Sequence, residues 1–188
     1  MHMILLLYLL IAIMCIACAI ALYLILLSFY TLIGNKHVPY VPLPDHALDA
    51  VIDALQLSDS SVVYDLGCGD GKILRGCYHR FPHAHYIGIE KGLFPYLLSR
   101  IKNKNIPADT VHIMRKSFFD HSVSDATHIV LYLFPFIMDK LLPKLEQECT
   151  PGTRIVSIDF QFNAKKPTHI IELNSSHHLG KKLFVYKF

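Results

Sequence analysis

Two different patterns of hydrophobic residues divide the chain. From Met3 to Ile33 the sequence contains no charged side chain and is almost entirely apolar. This run is longer than the roughly 20 residues that a helix needs to cross a hydrocarbon core of about 30 Å. A signal peptide is the alternative, but its apolar core usually has only about 7–15 residues. The pattern therefore predicts one N-terminal transmembrane helix, an anchor over residues 1–35.

Prolines mark the connection between this anchor and the remainder of the chain. Three of them fall in residues 36–44, and each restricts the residue before it to extended backbone. Asp45 then has the position of an N-cap for a first helix. We therefore expect a proline-containing linker over residues 36–44 and a folded domain over residues 45–188.

Strand-like and helix-like patterns alternate through this domain, which predicts a mainly parallel sheet with helices on both faces. After the fifth strand only "QFNAKKP" precedes the apolar stretch "THIIEL", which is too short for a crossover helix. The last two strands should therefore form an antiparallel hairpin at one edge. The predicted fold is α/β, a doubly wound seven-stranded sheet. The expected strands are Ser61–Leu66, Ala84–Glu90, Thr110–Met114, Thr127–Phe134, Arg154–Phe160, "THIIEL" and "KKLFVYKF", and the expected helices between them are Gly71–Arg80, Phe94–Lys104 and Ile137–Glu148.

A glycine-rich stretch, "VVYDLGCGDGKIL", follows the first strand. Ligands of open α/β sheets bind at the carboxyl ends of the strands, beside such a turn. The residue three positions after Gly69 is Lys72, so the dinucleotide fingerprint GxGxxG is not matched. A phosphate loop of the GxxxxGK[ST] type is not matched either, because Ile73 follows Lys72. The loop therefore predicts a ligand that is neither a dinucleotide nor a nucleoside triphosphate.

Acidic residues around the loop indicate which ligand it takes. Asp65 lies at the carboxyl end of the first strand and Asp70 lies within the loop. Two carboxylates repel a pyrophosphate more strongly as the site loses water. They suit a ligand that carries an ammonium and a sulfonium cation. Glu90 ends the next strand, where a carboxylate can accept hydrogen bonds from ribose hydroxyls. Together these residues predict S-adenosylmethionine as the cofactor.

The motifs "DLGCGDGK" and "YIGIEKG" resemble class I S-adenosylmethionine-dependent methyltransferases, which have a Rossmann-like fold. The stretches "VPYVPLP", "LYLFP", "LLPKLEQECTPGTRIVSIDF" and "KKLFVYKF" are similar to one subfamily. Its members are the membrane-associated lysine methyltransferases of the ATP synthase c subunit and the adenine nucleotide translocase, with their prokaryotic relatives. The resemblance covers Val38 to Phe188 and implies a protein-lysine N-methyltransferase.

The resemblance also implies which residues bind the cofactor. Ser117 departs from the pattern of the family, in which Asp or Asn is commoner at this position. The predicted contacts are Asp65, Gly67, Cys68 and Gly69 with the methionine part, Asp70 in the same loop, Glu90 with the ribose, and Ser117 and Phe118 with the adenine.

The acceptor side of the site is predicted from "LYLFP". Amino-directed methyltransferases often have [DN]PPY here, and the missing acid or amide argues against an adenine or glutamine acceptor. Keeping a lysine amine neutral at pH 7 costs about 4–5 kcal/mol, and a dry channel lowers that cost by disfavouring the charged form. Candidates for the walls of the channel are Tyr40, Tyr132, Phe134 and Pro135. No general base is assigned.

Charge and composition restrict the partners. The net charge of +3 is weakly basic, and Arg100, Lys102 and Lys104 have the helical spacing of a solvated face, so we expect no nucleic acid. The histidines form no group with ligand spacing, so we expect no metal. The expected partners are a membrane or membrane-proximal protein and the lipid bilayer. Lys36 and His37 after the anchor favour a domain on the cytoplasmic side, or the matrix side in mitochondria.

Two alternatives remain open at the level of sequence. One keeps the cofactor but replaces the protein acceptor with a lipid or another small apolar molecule. The other is an S-adenosylmethionine-binding membrane protein without catalysis.

Overall fold

The computed structural model describes residues 2–34 and 40–188. They belong to two units, Met1–Pro39 and Tyr40–Phe188. The predicted linker lies partly outside the described residues. So do Pro39, one of the prolines that predict its extended backbone, and Lys36 and His37, from which the side of the membrane was predicted.

The first unit is one helix, α1, which spans His2–Gly34. Its segment Leu6–Ser28 is long and apolar enough to cross a membrane. Length and composition alone do not separate such a span from a signal sequence near an N-terminus.

The second unit contains the alternating elements that the sequence predicts. The helices are α2 (Asp45–Leu55), α3 (Lys72–Arg80), α4 (Leu93–Lys102) and α5 (Pro135–Glu148), with a short 3-10 helix at Phe118–Asp120. The strands are β1 (Val62–Leu66), β2 (His85–Glu90), β3 (Val111–Arg115), β4 (His128–Leu131), β5 (Arg154–Ile158), β6 (His169–Glu172) and β7 (Lys182–Lys187).

Most boundaries differ from the prediction by one to three residues, and two of these differences have a clear physical cause. Asp45 is the first residue of α2 and not its N-cap, a position that Pro44 occupies. The carboxylate of Asp45 pairs instead with the ammonium of Lys72, 2.5 Å away. β4 ends at Leu131 and not at Phe134, because Pro135 begins α5 and Phe134 is its N-cap. Proline suits the first turn of a helix, where its missing N–H is not needed.

The seven strands form one sheet in the order β3-β2-β1-β4-β5-β7-β6. The first five are mutually parallel. β7 lies between β5 and β6 and is antiparallel to both. The mainly parallel sheet with an antiparallel hairpin at its C-terminal edge is therefore confirmed. The short connection after β5 leads to the outermost strand, and the hairpin then returns the chain to pair with β5.

The two faces of the sheet carry two hydrophobic cores. Successive residues of a strand point to opposite faces, so Val63 packs with α2 and α3 while Tyr64 and Leu66 pack with α5. Asp65 shares the face of Val63 by the same alternation. Its carboxylate therefore lies on the side of the sheet that α2 and α3 cover.

Candidate active site

The loop between β1 and α3 depends on glycine. Gly67, Gly69 and Gly71 have φ values of +88°, +54° and +73°, in the left-handed region that other residues rarely adopt. The amides of Gly67 and Cys68 both donate to the carbonyl oxygen of Ile89, at 2.8 and 3.1 Å. These bonds hold the loop against the end of β2, so the carboxyl ends of β1 and β2 form one site.

Asp65 is the central acidic group of this site. Its side chain is buried, and its Oδ2 atom has no hydrogen-bond partner among the described residues. Burial, together with the neighbouring carboxylates of Glu90 and Asp70, raises the pKa of Asp65 to about 8. A buried ionised carboxylate without a partner is unfavourable, and a cationic ligand would relieve that cost. The arrangement fits the ammonium group of S-adenosylmethionine.

Glu90 bridges two loops. Its Oε2 accepts a hydrogen bond from the amide of Gly69 at 2.9 Å, and its Oε1 accepts one from the amide of Gly92 at 2.6 Å. Each carboxylate oxygen can accept a second bond. Glu90 can therefore accept bonds from ribose hydroxyls without releasing the two amides.

Asp70 has partners within the protein for both oxygens. Its Oδ2 lies 2.7 Å from the ammonium of Lys102 on α4, and its Oδ1 accepts from the amide of Lys72 at 3.1 Å. The predicted contact of Asp70 with the cofactor stays a prediction. The structure indicates a second role, since this carboxylate joins the glycine loop to α4.

The segment before α2, residues 40–44, covers the glycine loop. A Cβ atom on Gly69 would lie only 2.4 Å from Cε2 of Tyr40, so the ring of Tyr40 rests on the loop backbone. Burial and the nearby Asp70 carboxylate raise the pKa of the Tyr40 hydroxyl to about 12. Lys72 fixes this segment through a 2.5 Å bond from its ammonium to the carbonyl oxygen of Leu43.

Tyr132 follows β4 directly and packs against the core on the α2 side. Its hydroxyl is buried and has no hydrogen-bond partner among the described residues. Burial is the main cause that raises its pKa to about 12, with a contribution from the charge of Asp159. Such a hydroxyl can donate a hydrogen bond to a ligand, and Tyr132 comes directly after Leu131, the register partner of Leu66 at the carboxyl end of β1.

Aromatic rings continue this edge. The ring of Phe134 lies 6.2 Å from that of Phe136 and 6.3 Å from that of Phe160. Pro135 is exposed at the start of α5. The part played by Phe134 and Pro135 in an acceptor channel stays a prediction. Phe136 and Phe160 are further aromatic neighbours, which the sequence pattern did not indicate.

Ser117 and Phe118 lie just after β3. The hydroxyl of Ser117 accepts a 3.3 Å hydrogen bond from the amide of Phe119 and caps the short 3-10 helix. The ring of Phe118 is half-buried and lies 4.8 Å from that of Phe119. The amide of Lys116 donates to the carbonyl oxygen of Glu90 at 3.1 Å, which brings this turn beside the predicted ribose site. Contact with an adenine ring remains a prediction.

Asp159 is a residue of this edge that sequence reasoning missed. It follows β5 with φ of +62°, and its carboxylate accepts hydrogen bonds from the amides of Gly180 at 2.6 Å and Lys181 at 2.7 Å. The available signal was its position, since Asp65 and Glu90 also lie at the carboxyl ends of strands. Asp159 anchors the loop that leads into β7.

Known proteins share this sequence pattern. The profile of the ANTKMT methyltransferase domain matches residues 65–169. A protein-lysine N-methyltransferase of Saccharolobus islandicus (strain REY15A) is 33% identical over 152 residues, which cover 80% of this chain and 93% of that protein. The mouse adenine nucleotide translocase lysine N-methyltransferase is 28% identical over 141 residues, and the match covers 71% of this chain but only 58% of the mouse protein.

Solved structures share the fold. An RNA methyltransferase from Salinibacter ruber in complex with S-adenosyl-L-homocysteine has a TM-score of 0.72 at 30% identity, covering 78% of this chain and 93% of that chain. A SAM-dependent methyltransferase from Geobacter sulfurreducens, also in complex with S-adenosyl-L-homocysteine, has a TM-score of 0.56 at 19% identity. The match covers 70% of this chain and 55% of that chain. From the sequence match and the geometry of the site, the chain belongs to the ANTKMT methyltransferase family and is an S-adenosylmethionine-dependent methyltransferase.

Proposed function

We propose that the protein is a membrane-attached protein-lysine N-methyltransferase that acts on a membrane or membrane-proximal protein. One observation carries the proposal. Two buried side-chain atoms in the described residues lack a hydrogen-bond partner, Asp65 Oδ2 and the hydroxyl of Tyr132. Asp65 is the last residue but one of β1 and Tyr132 comes directly after β4, and these are neighbouring parallel strands whose carboxyl ends share an edge. A cation and an amine brought to this edge would satisfy both.

The cofactor half of the site uses charge. When bound, S-adenosylmethionine supplies an electrophilic methyl group on a sulfonium. Asp65 would bind the ammonium of the cofactor and Glu90 the ribose hydroxyls. The glycine loop lets its backbone approach the methionine part, and Ser117 and Phe118 would border the adenine.

The acceptor half of the site must receive an uncharged amine. Holding a lysine amine neutral at pH 7 costs about 4–5 kcal/mol relative to the protonated amine in water. The buried hydroxyl of Tyr132 can hydrogen-bond the amine, while the rings of Tyr40 and Phe134 and the side chain of Pro135 exclude water. Poor solvation disfavours the ammonium form, so the proton would leave to solvent before the amine is enclosed. Alignment of the amine can then provide much of the rate.

The N-terminal helix supports the membrane part of the proposal. Leu6–Ser28 has the length and composition of a membrane span. An enzyme held at a bilayer meets acceptors in the same plane at a raised effective concentration. Two relatives named as lysine methyltransferases support the acceptor class.

The test is a labelling experiment with the full-length protein. The wild type and the variants Asp65→Asn, Tyr132→Phe and Tyr78→Phe would be incubated with methyl-labelled S-adenosylmethionine and membranes. Tyr78 is a half-buried tyrosine of α3 and serves as the control. We expect label on lysine in one protein band, lost with Asp65→Asn, reduced with Tyr132→Phe and unchanged with Tyr78→Phe.

Other outcomes would contradict the proposal. Label in the organic phase would assign a lipid or small apolar acceptor. Label in RNA would assign RNA as the acceptor, in agreement with the name of the Salinibacter ruber methyltransferase. Cofactor binding without transfer to any fraction would leave a non-catalytic binding protein.

A further inference from the structure

The helix α4 exposes a stripe of large apolar side chains. Leu93, Phe94, Leu97 and Ile101 are 52%, 72%, 50% and 65% exposed. At about 100° per residue they fall within an arc of about 100° on the helix. Pro95 and Ser99, which are buried, lie on the other side. We call these four residues the α4 apolar face.

This face is unusual for the domain. Eight large hydrophobic side chains are strongly exposed in residues 40–188, and four of them are on this one helix. Single exposed apolar residues are ordinary, whereas a contiguous patch marks an interaction surface. The helix packs on β2 and β3 through its opposite side, so the apolar face is not needed for the core.

Positive charge borders the face. Between Glu90 and Asp109 the sequence contains four basic residues and no acidic one. Lys102 pairs with Asp70. Within the part of the chain that the structure describes, no carboxylate lies within 4.0 Å of the three others. These are Lys91, Arg100 and Lys104, all exposed.

We propose that the α4 apolar face binds the surface of an anionic lipid bilayer. An apolar helix face bordered by lysine and arginine is the pattern of helices that lie in the membrane interface. The apolar side chains would enter the boundary of the acyl chains, and the three free cations would meet the phosphates. A second copy of the domain is a poorer occupant, because pairing two such faces would bring like charges together.

The inference rests on the proposed membrane attachment. Only residues 35–39 separate α1 from the second unit, so a helix seated in a bilayer would keep the domain near lipid. Attachment by α1 alone leaves the orientation of the domain undetermined. Contact through α4 would fix it.

The position of α4 gives this contact a functional meaning. The helix follows Glu90 after two residues, and Lys102 ties its last turn to the glycine loop. Binding of α4 to lipid would therefore hold the edge that carries Asp65 and Glu90 near the bilayer. The acceptor would then be a lysine at the membrane surface and not one far from it.

The absence of tryptophan from the sequence allows a direct test. Phe94→Trp introduces one fluorophore on the α4 apolar face of the full-length protein. Ile170→Trp is the matched control, since Ile170 is 48% exposed on β6 at the opposite end of the sheet order from β3. Each variant would be reconstituted into phosphatidylcholine vesicles with and without phosphatidylglycerol, using brominated acyl chains as quenchers.

We expect the fluorescence emission of the indole at position 94 to shift to shorter wavelength and to be quenched when phosphatidylglycerol is present. The indole at position 170 should remain unquenched. Adding Lys91→Gln, Arg100→Gln and Lys104→Gln to Phe94→Trp should weaken the association of the face with the anionic surface by about fivefold for each charge removed. High salt should also weaken the association of the face with the anionic surface, because it screens the charges.

Flotation of the same vesicles separates this inference from membrane attachment itself. Protein that floats with the vesicles while the indole at position 94 stays unquenched would overturn the α4 inference and leave attachment by α1 intact. Equal quenching at positions 94 and 170 would also overturn it, as would a blue shift that requires an added acceptor protein or a dimeric mass. Protein that does not float would overturn both.

Discussion

The ammonium of Lys102 lies 2.7 Å from Oδ2 of Asp70, whose side chain is only 6% exposed. This ion pair joins α4 to the glycine loop across 32 positions of sequence. A carboxylate buried to this degree needs its partner, because an unpaired charge loses hydration without compensation. The pair therefore supports the conformation of the loop on which the cofactor site depends.

Replacement of this lysine should weaken both the fold and the site. For Lys102→Ala we expect the free energy of unfolding to fall by about 1–3 kcal/mol and the affinity for S-adenosylmethionine to fall with it. The control is Arg80→Ala, which breaks an exposed pair with Asp53 and should change stability by about 0–1 kcal/mol. Urea unfolding and calorimetric titration measure the two quantities. Equal effects of the two variants would contradict the role given to Lys102.

Asp65 should make the cofactor-free protein less stable as the pH rises. Its pKa of about 8 is above the value near 3.9 expected in the unfolded chain. Between these two pKa values the folded state binds a proton that the unfolded state has released, so the free energy of unfolding falls as the pH rises. The contribution between pH 5 and 8 is on the order of 3 kcal/mol.

The variant Asp65→Asn removes this titration. We expect it to be more stable than the wild type at pH 8, with a smaller difference at pH 5. Thermal unfolding across this range, without cofactor, measures the effect, and Asp53→Asn at an exposed position is the control. A wild-type advantage that grows with pH would contradict the raised pKa.

Cofactor affinity should show the opposite trend. An ionised Asp65 attracts the ammonium of the cofactor and a protonated one does not. The dissociation constant of S-adenosylmethionine should therefore decrease with rising pH up to about 8, by up to about tenfold per unit. Below this pH, binding of the cofactor should release the proton of Asp65. Calorimetric titrations in buffers of different ionisation enthalpy would detect that proton. A flat profile that equals that of Asp65→Asn would remove Asp65 from the binding site.

Gly69→Ala should affect the cofactor more than the fold. Its φ is +54°, and a Cβ atom would lie 2.4 Å from the ring of Tyr40. The control is Gly152→Ala, where φ is +100° but no atom of the part of the chain that the structure describes lies within 4 Å of the added carbon. Both variants should lose about 1–2 kcal/mol of stability through their left-handed backbone, and Gly69→Ala more than Gly152→Ala because the ring of Tyr40 is displaced. Chemical denaturation measures both losses. Only Gly69→Ala should also lose cofactor affinity, because Tyr40 must move from the loop.

Asp159 allows strain and hydrogen bonding to be separated. Asp159→Ala removes the acceptor of the Gly180 and Lys181 amides and keeps a Cβ at φ of +62°. Asp159→Gly removes the same acceptor but relieves the strain. We expect both variants to be destabilised, the glycine variant by about 1 kcal/mol less than the alanine variant. The reverse order of their thermal midpoints would contradict this explanation.

The order of strands and helices could be predicted because it depends on local properties. The period of apolar residues identified the helices and strands of the domain, though not the short 3-10 helix Phe118–Asp120. The seven residues of "QFNAKKP" were too few for a crossover. The end of β4 was set too late, since the strand-forming residues continue to Phe134 whereas Pro135 starts a helix. That competition between two local preferences was not evident from the pattern.

The parts of the site that depend on distant contacts could not be predicted. Lys102 was interpreted as one residue of a solvated basic face, and only the folded chain brings it to Asp70. The Tyr132 hydroxyl has no hydrogen-bond partner among residues 2–34 and 40–188, and this depends on every element packed around it. Asp65 and Glu90 were found because they lie at the carboxyl ends of their strands, a position that can be read from the sequence.

The two amides that bond Glu90 have a consequence for the entropy of binding. A free glutamate side chain loses about 1.5–2 kcal/mol of rotamer freedom when it is immobilised. In this domain the amides of Gly69 and Gly92 already hold both of its oxygens. That loss is part of folding, so an arriving ribose does not have to order the carboxylate, and more of its hydrogen-bond energy remains as affinity.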